Sequence, residues 1–129
     1  MNKFKIVLQP LKYFARLSRK IIVKYYTHIF LLKLKYKCNN LKIGKGVKVY
    51  GRIVFNVNKN SKIAIGNNVV FRSKTKYYYI GINKPIILSC LDNATLTIGD
   101  NSGFSGTSIY ASNKITIGEN CLFGANTNL

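Results

Sequence analysis

Residues 115–129 read ITIGENCLFGANTNL, and the phrase inside them, Ile117-Gly118-Glu119-Asn120-Cys121, has three earlier copies. They are Ile43-Gly44-Lys45-Gly46-Val47, Ile65-Gly66-Asn67-Asn68-Val69 and Ile98-Gly99-Asp100-Asn101-Ser102. Each runs Ile, Gly, two mostly polar residues, then a small or β-branched one. Around the copies a bulky side chain returns at every sixth position: Ile43, Val49, Phe55; Ile98, Phe104, Tyr110; Ile117, Phe123, Leu129. The fifth hexad residue is again small or branched, as at Val47, Ile53, Ser102, Ser108, Cys121 and Thr127. Neither the period of a strand nor that of a helix produces this series. A period of six describes short strand, turn, short strand, with one bulky side chain pointing inward per face. Three hexads close a triangular coil of about 18 residues, and coils stack as rungs of parallel strands. Gly after the Ile, and the Asn or Asp that follow, suit corners that need special backbone dihedrals.

The spacing of the copies locates an irregularity. Ile98 to Ile117 is 19 residues, Ile43 to Ile65 is 22, and Ile65 to Ile98 is 33. About 15 residues are therefore inserted, within 73–93, as a protruding loop or an extra edge. The insert holds Lys74 to Tyr79 (KTKYYY) and Pro85-Ile86-Ile87-Leu88. Ile80-Gly81 begins like the phrase, but Ile82-Asn83 breaks it. The expected architecture is mainly β: about four coils of parallel β-helix over 41–129, incomplete, after a basic amphipathic helical segment over 1–40.

That first segment carries Phe4, Val7, Leu8, Leu11, Phe14, Ala15, then Ile21, Ile22, Tyr25, Ile29 and Leu32, close to the helical period. Lys5, Lys12, Arg16, Arg19 and Lys20 fill much of the other side. Pro10 is expected to open the main helix or kink it. The apolar stripe suits either an anionic membrane surface or packing on the rest of the protein or a second subunit. Charge sharpens the question. The chain has 21 Lys and Arg against three acids, and only Lys84 and Lys114 of the basic residues lie beyond residue 80. All three acids, Asp92, Asp100 and Glu119, lie in that later half. The cationic front half calls for a polyanionic neighbour. Nucleic acid is disfavoured: no recognition motif is present, and the helix's basic residues alternate with a strongly apolar face.

Three scattered cysteines, Cys38, Cys90 and Cys121, fit a reducing compartment rather than a disulfide framework. The first apolar run, Ile6 to Leu11, is broken by Gln9 and Pro10 and lacks the cleavage site of a signal peptide. The longest front-segment stretch without Lys or Arg, Tyr25 to Leu32, is far short of a bilayer span. The expected location is cytoplasmic, peripheral on the inner face of the membrane. Asn93-Ala94-Thr95 is a glycosylation acceptor pattern only in a secreted chain. Gly44-x-Gly46 fails as a dinucleotide fingerprint, and no metal-ligand spacing exists among three Cys and one His.

The stretches LTIGDNSGFSGTSIYASNKITIGENCLFGAN (96–126) and YIGINKPIIL (79–88) resemble the hexapeptide-repeat O-acyltransferases. The branch they resemble most is the acetyltransferases of bacterial surface polysaccharides, with galactoside and maltose acetyltransferases as more distant relatives. The resemblance covers roughly 41–129. It implies a left-handed parallel β-helix, against the usual right-handed crossover, assembled as a homotrimer. It implies acetyl-CoA as acyl donor, held between subunits, and transfer to a hydroxyl of a saccharide acceptor.

Such a reaction needs a base beside the acceptor hydroxyl, for which histidine is suited, and N–H groups for the oxyanion. In the family this His follows the ITIGEN hexads on the next turn, a few residues beyond where Leu129 stands. The resemblance therefore implies a longer natural enzyme and an inactive 129-residue chain. The lone His28 reads as a surface or interface residue. Ser105 to Thr107 align with the loop where galactoside acetyltransferases place an acceptor-orienting Asn, although this chain has Ser105. Asn126, at a corner near the implied cleft, completes the substrate-binding candidates Ser105, Thr107 and Asn126. Asp92, Asp100 and Glu119 read as turn residues, and Cys121 as a buried, inert thiol. The rival reading is a non-catalytic membrane-surface module on a β-helical trimerisation platform.

Overall fold

The computed structural model describes residues 3–73 and 81–129, with side chains from Lys12 onward. The expected protrusion KTKYYY lies outside the described residues. A single helix, α1 (Lys3–Lys37), leads into eleven short strands. They are β1 (Asn40–Ile43), β2 (Lys48–Tyr50), β3 (Val54–Val57), β4 (Lys62–Ile65), β5 (Val70–Arg72) and β6 (Ile87–Cys90). Then follow β7 (Thr95–Ile98), β8 (Gly103–Ser105), β9 (Ser108–Ala111), β10 (Lys114–Ile117) and β11 (Leu122–Phe123). Among the described residues they form three sheets, ordered β1-β4-β7-β10, β2-β5-β8-β11 and β3-β6-β9, with every pairing parallel. The chain thus visits the first, second and third sheet in turn and then returns to the first. The expected mainly-β architecture with a leading helix is what forms.

Register follows the phrase. Ile43, Ile65, Ile98 and Ile117 pair in one column, and Val49, Phe71, Phe104 and Phe123 in the next. The third column holds Phe55, Leu88 and Ile109. In-register parallel pairing repeats like side chains at the sheet spacing of about 4.8 Å. The phenylalanine rings accordingly stack, Phe71 on Phe104 at 5.3 Å and Phe104 on Phe123 at 5.0 Å. Tyr110, expected in this inward series, is instead exposed, and Ile109 is buried. Phe104 to Ile109 is five residues, not six, because the corner at Gly106 turns with φ +52° and shortens the hexad.

The corners obey two separate constraints. The fourth phrase residue, Gly46, Asn68, Asn101 or Asn120, has a φ of 73°, 54°, 58° or 55°. Asn tolerates this left-handed region better than other non-glycine residues. The Gly after the Ile is not at positive φ, contrary to the dihedral role expected of it. Its lack of a side chain lets the next rung's backbone pass: a Cβ on Gly44 would lie 2.5 Å from the Gly66 carbonyl carbon.

The insert is narrower than 73–93. Ser73 still belongs to the second corner: its N–H donates to the Tyr50 carbonyl, its hydroxyl to that of Arg52, and Ile86 N–H donates to Ser73 Oγ. Ile87 and Leu88 are not loop but part of β6, the central strand of the third sheet. Pro10, expected to open or kink the helix, lies inside the continuous α1.

The second half of α1 closes one end of the three sheets. Phe30 and Leu34 are buried, and the Phe30 ring lies 5.3 Å from Phe71 and 5.4 Å from Phe55. β2 carries Val49 where later rungs carry Phe, and the smaller side chain leaves room for Phe30. Val49 N–H donates to Thr27 Oγ1 at 3.0 Å, so the helix also satisfies part of the first rung. Of the two roles open to the helix, packing on the protein is filled by this half.

Candidate functional site

The corner between the second and third sheets brings the three candidate residues together. β8 ends at Ser105, Gly106 makes the turn, and β9 begins at Ser108. Gly106 N–H donates to the Arg72 carbonyl at 2.9 Å, and the chain 81–84 crosses over the turn. A Cβ on Gly106 would meet Ile82 Cγ2 at 2.9 Å and the Lys84 carbonyl at 3.0 Å. Asn126, with φ 64°, lies beside Ser105, its N–H donating to the Ser105 carbonyl at 3.2 Å. Its side chain clasps the crossing segment: Nδ2 donates to the Gly81 carbonyl at 3.0 Å, and Asn83 N–H donates to Oδ1 at 3.3 Å.

Burial divides the candidates. Thr107 is fully buried, and its hydroxyl donates to the Ser105 carbonyl at 3.3 Å, so its present work is to hold the corner. Ser105 is also buried. Asn126 is half-buried and engaged on both sides of its amide. A cation of the cluster, Lys84, was not singled out from the sequence. Its Nζ donates to Ser108 Oγ at 3.0 Å and Asn128 Oδ1 at 2.6 Å. The available signal was its isolation: beyond residue 80 only one other basic residue occurs. The arrangement can present a cation and polar side chains to an acidic or hydroxylated ligand; among the described residues no imidazole or side-chain carboxylate joins it.

His28 stands elsewhere. It is exposed on α1 and lines a groove of about 1110 Å³ between the helix and residues 46–51, a groove that none of Ser105, Thr107 and Asn126 lines. The carboxylates do turn work, as expected. Asp100 accepts from Asn67 N–H at 2.7 Å and from Asn67 Nδ2 at 3.3 Å; Asp92 accepts from Asn60 Nδ2 at 2.9 Å. Glu119 is exposed in the same phrase position as Asp100. Cys121 is half-buried rather than buried, because no further rung covers it among the described residues. Those residues contain no group of three or more His, Cys, Asp or Glu that could hold a metal ion.

Cys38 and Cys90 are the buried thiols. Burial pushes the Cys90 thiol up, with the Ser61 hydroxyl opposing and nearby Cys38 adding to the rise. Below the ordinary thiol range folded and unfolded chains both keep this proton. Above it the unfolded chain releases the proton first, so the contribution to stability is lost as pH rises. Between about pH 8 and about pH 10 the melting temperature should fall further in the native chain than in Cys90→Ala. Parallel declines in a differential scanning experiment would show that Cys90 is not responsible.

Searches for relatives return nothing: no protein-family model, curated protein or solved structure matches the chain.

Proposed function

We propose that the chain belongs to an acetyl-CoA-dependent O-acetyltransferase of the hexapeptide-repeat class, acting on a saccharide hydroxyl. In this reading the three sheets wind as a left-handed parallel β-helix that assembles as a homotrimer. The cyclic visiting of three parallel sheets and the rung-by-rung stacking of four Ile-Gly phrases support the architecture. The observation that carries the function is the meeting of the Ser105–Thr107 corner with Asn126 beneath a crossing segment that delivers Lys84.

The transfer joins the acceptor oxygen to the acetyl carbonyl carbon, breaks the thioester C–S bond and moves the hydroxyl proton to a base. The residues of this corner bind and orient; none takes that proton. Lys84 would sit against an anionic part of donor or acceptor, and Asn128 and Ser108 would position hydroxyls. Acetyl-CoA should saturably raise the unfolding temperature of the 129-residue chain, less so in Lys84→Ala. The chain should release no CoA thiol in the presence of a saccharide acceptor. Turnover that disappears in His28→Ala would refute this placement of the chemistry. A folded chain indifferent to acetyl-CoA would remove the enzymatic reading. It would favour a non-catalytic, membrane-surface assembly module, which the exposed face of α1 already supports.

A further inference from the structure

We infer that the outward face of α1 docks on an anionic phospholipid bilayer, with the helix lying in the headgroup plane. The inference is independent of the acetyltransferase reading. α1 has two apolar faces. One holds Tyr26, Phe30 and Leu34, spaced by four residues, and packs on the strands. The other lies about 180° around the helix, at about 100° per residue. It holds Phe14, Leu17, Ile21, Tyr25 and Leu32, all exposed; Phe14 is 67% accessible and Ile21 and Tyr25 are each 60%. A helix packed on one core needs a single apolar stripe. A second, uncovered stripe marks an interaction surface.

Charge selects the occupant. α1 contains ten Lys and Arg and no acid. Lys24 and Lys35 border the outward stripe on one side. A second copy would set one cationic helix against another, and like charges brought together oppose association. The chain's three acids lie at the corners, Asp92 and Asp100 already hydrogen-bonded. A bilayer with acidic lipids supplies both complements: an acyl boundary for the aromatic and aliphatic stripe, and phosphates for the lysines. The groove beside α1 extends the same chemistry. Leu17 and Ile21 belong to both stripe and groove, and Val47 adds apolar floor while Lys20, Lys24 and Lys48 line the walls. An acidic headgroup fits there. α1 is 35 residues, about 52 Å, yet among the described residues no helix is long and apolar enough to cross a membrane. The geometry is that of a helix lying on the surface.

The test is co-sedimentation of the full chain with phosphatidylcholine vesicles, with and without roughly one-third phosphatidylglycerol. Binding should be about tenfold tighter with the acidic lipid, weaken at high salt, and fall about tenfold in Ile21→Glu/Tyr25→Glu. Circular dichroism checks that the double variant folds. If it does not, Lys20→Gln/Lys24→Gln/Lys35→Gln carries the test and should flatten both the lipid preference and the salt dependence. Equal binding to neutral vesicles, or unimpaired binding by a folded variant, overturns the inference. So does a dimer that the Glu variant dissociates without any vesicle binding, or duplex DNA retained by the chain in preference to acidic vesicles.

Discussion

Gly99→Ala should destabilise the protein by about 1–3 kcal/mol, whereas Gly118→Ala, the same change in the next copy of the phrase, should be neutral or mildly stabilising. A Cβ on Gly99 would lie 2.5 Å from the Gly118 carbonyl carbon and 2.6 Å from both Glu119 N and the Gly118 oxygen. All three are backbone atoms of the next rung. They cannot retreat without loosening the adjoining bonds, such as Gly99 N–H to the Ile117 carbonyl at 2.9 Å. A Cβ on Gly118 meets nothing nearer than Cys121 Sγ at 3.9 Å. Relief of glycine's unfolded-state entropy then leaves a gain of about 0.4–1 kcal/mol. Urea unfolding followed by circular dichroism measures both variants. Equal losses would mean that the glycine serves its own dihedrals rather than the passage of its neighbour.

Phe104→Ala should cost about 3–5 kcal/mol, a large part of the roughly 5–15 kcal/mol that holds a domain of this kind folded. Its ring is fully buried and sandwiched, 5.3 Å from Phe71 at an interplanar angle of 14° and 5.0 Å from Phe123 at 6°. The rungs above and below are fixed by backbone pairing, so the space cannot collapse and remains as a cavity. Phe123→Ala should cost less, since Phe123 is only half-buried and stacks on one side. The same urea series compares them. A Phe123 loss equal to that of Phe104 would mean that the ladder's outer rung is as enclosed as its centre.

What was legible in the sequence was what repeats. The Ile-Gly phrase announced its own corners, and the Asn at its fourth position coincided with the positive φ at Asn68, Asn101 and Asn120. A single-residue slip was harder to see. A period of six carried through Ser105-Gly106-Thr107 assigned the inward place to Tyr110, because nothing local reveals that a left-handed Gly shortens the corner and hands it to Ile109. The strand at Ile87–Cys90 was hidden inside the insert for a related reason: its phrase is missing, and only pairing with β3 and β9 identifies it. For α1, periodicity reported apolar positions but not that they divide between two opposite faces, since that division depends on what Phe30 and Leu34 touch. At the candidate site, Ser105, Thr107 and Asn126 were marked by resemblance. Lys84 was missed because its partners, Ser108 and Asn128, lie 24 and 44 residues away in the chain.

The closing of one end of the three sheets by α1 also sets an order in time. On the ribosome the helix emerges before any strand that it will cover. β1 to β3 follow, and each later rung pairs with one already made: β4 on β1, β5 on β2, β6 on β3, then β7 on β4. No described strand of β4 to β11 must wait for a partner synthesised after it. The direction of translation and the direction of stacking coincide, with the helix as the seat on which the first rung lands.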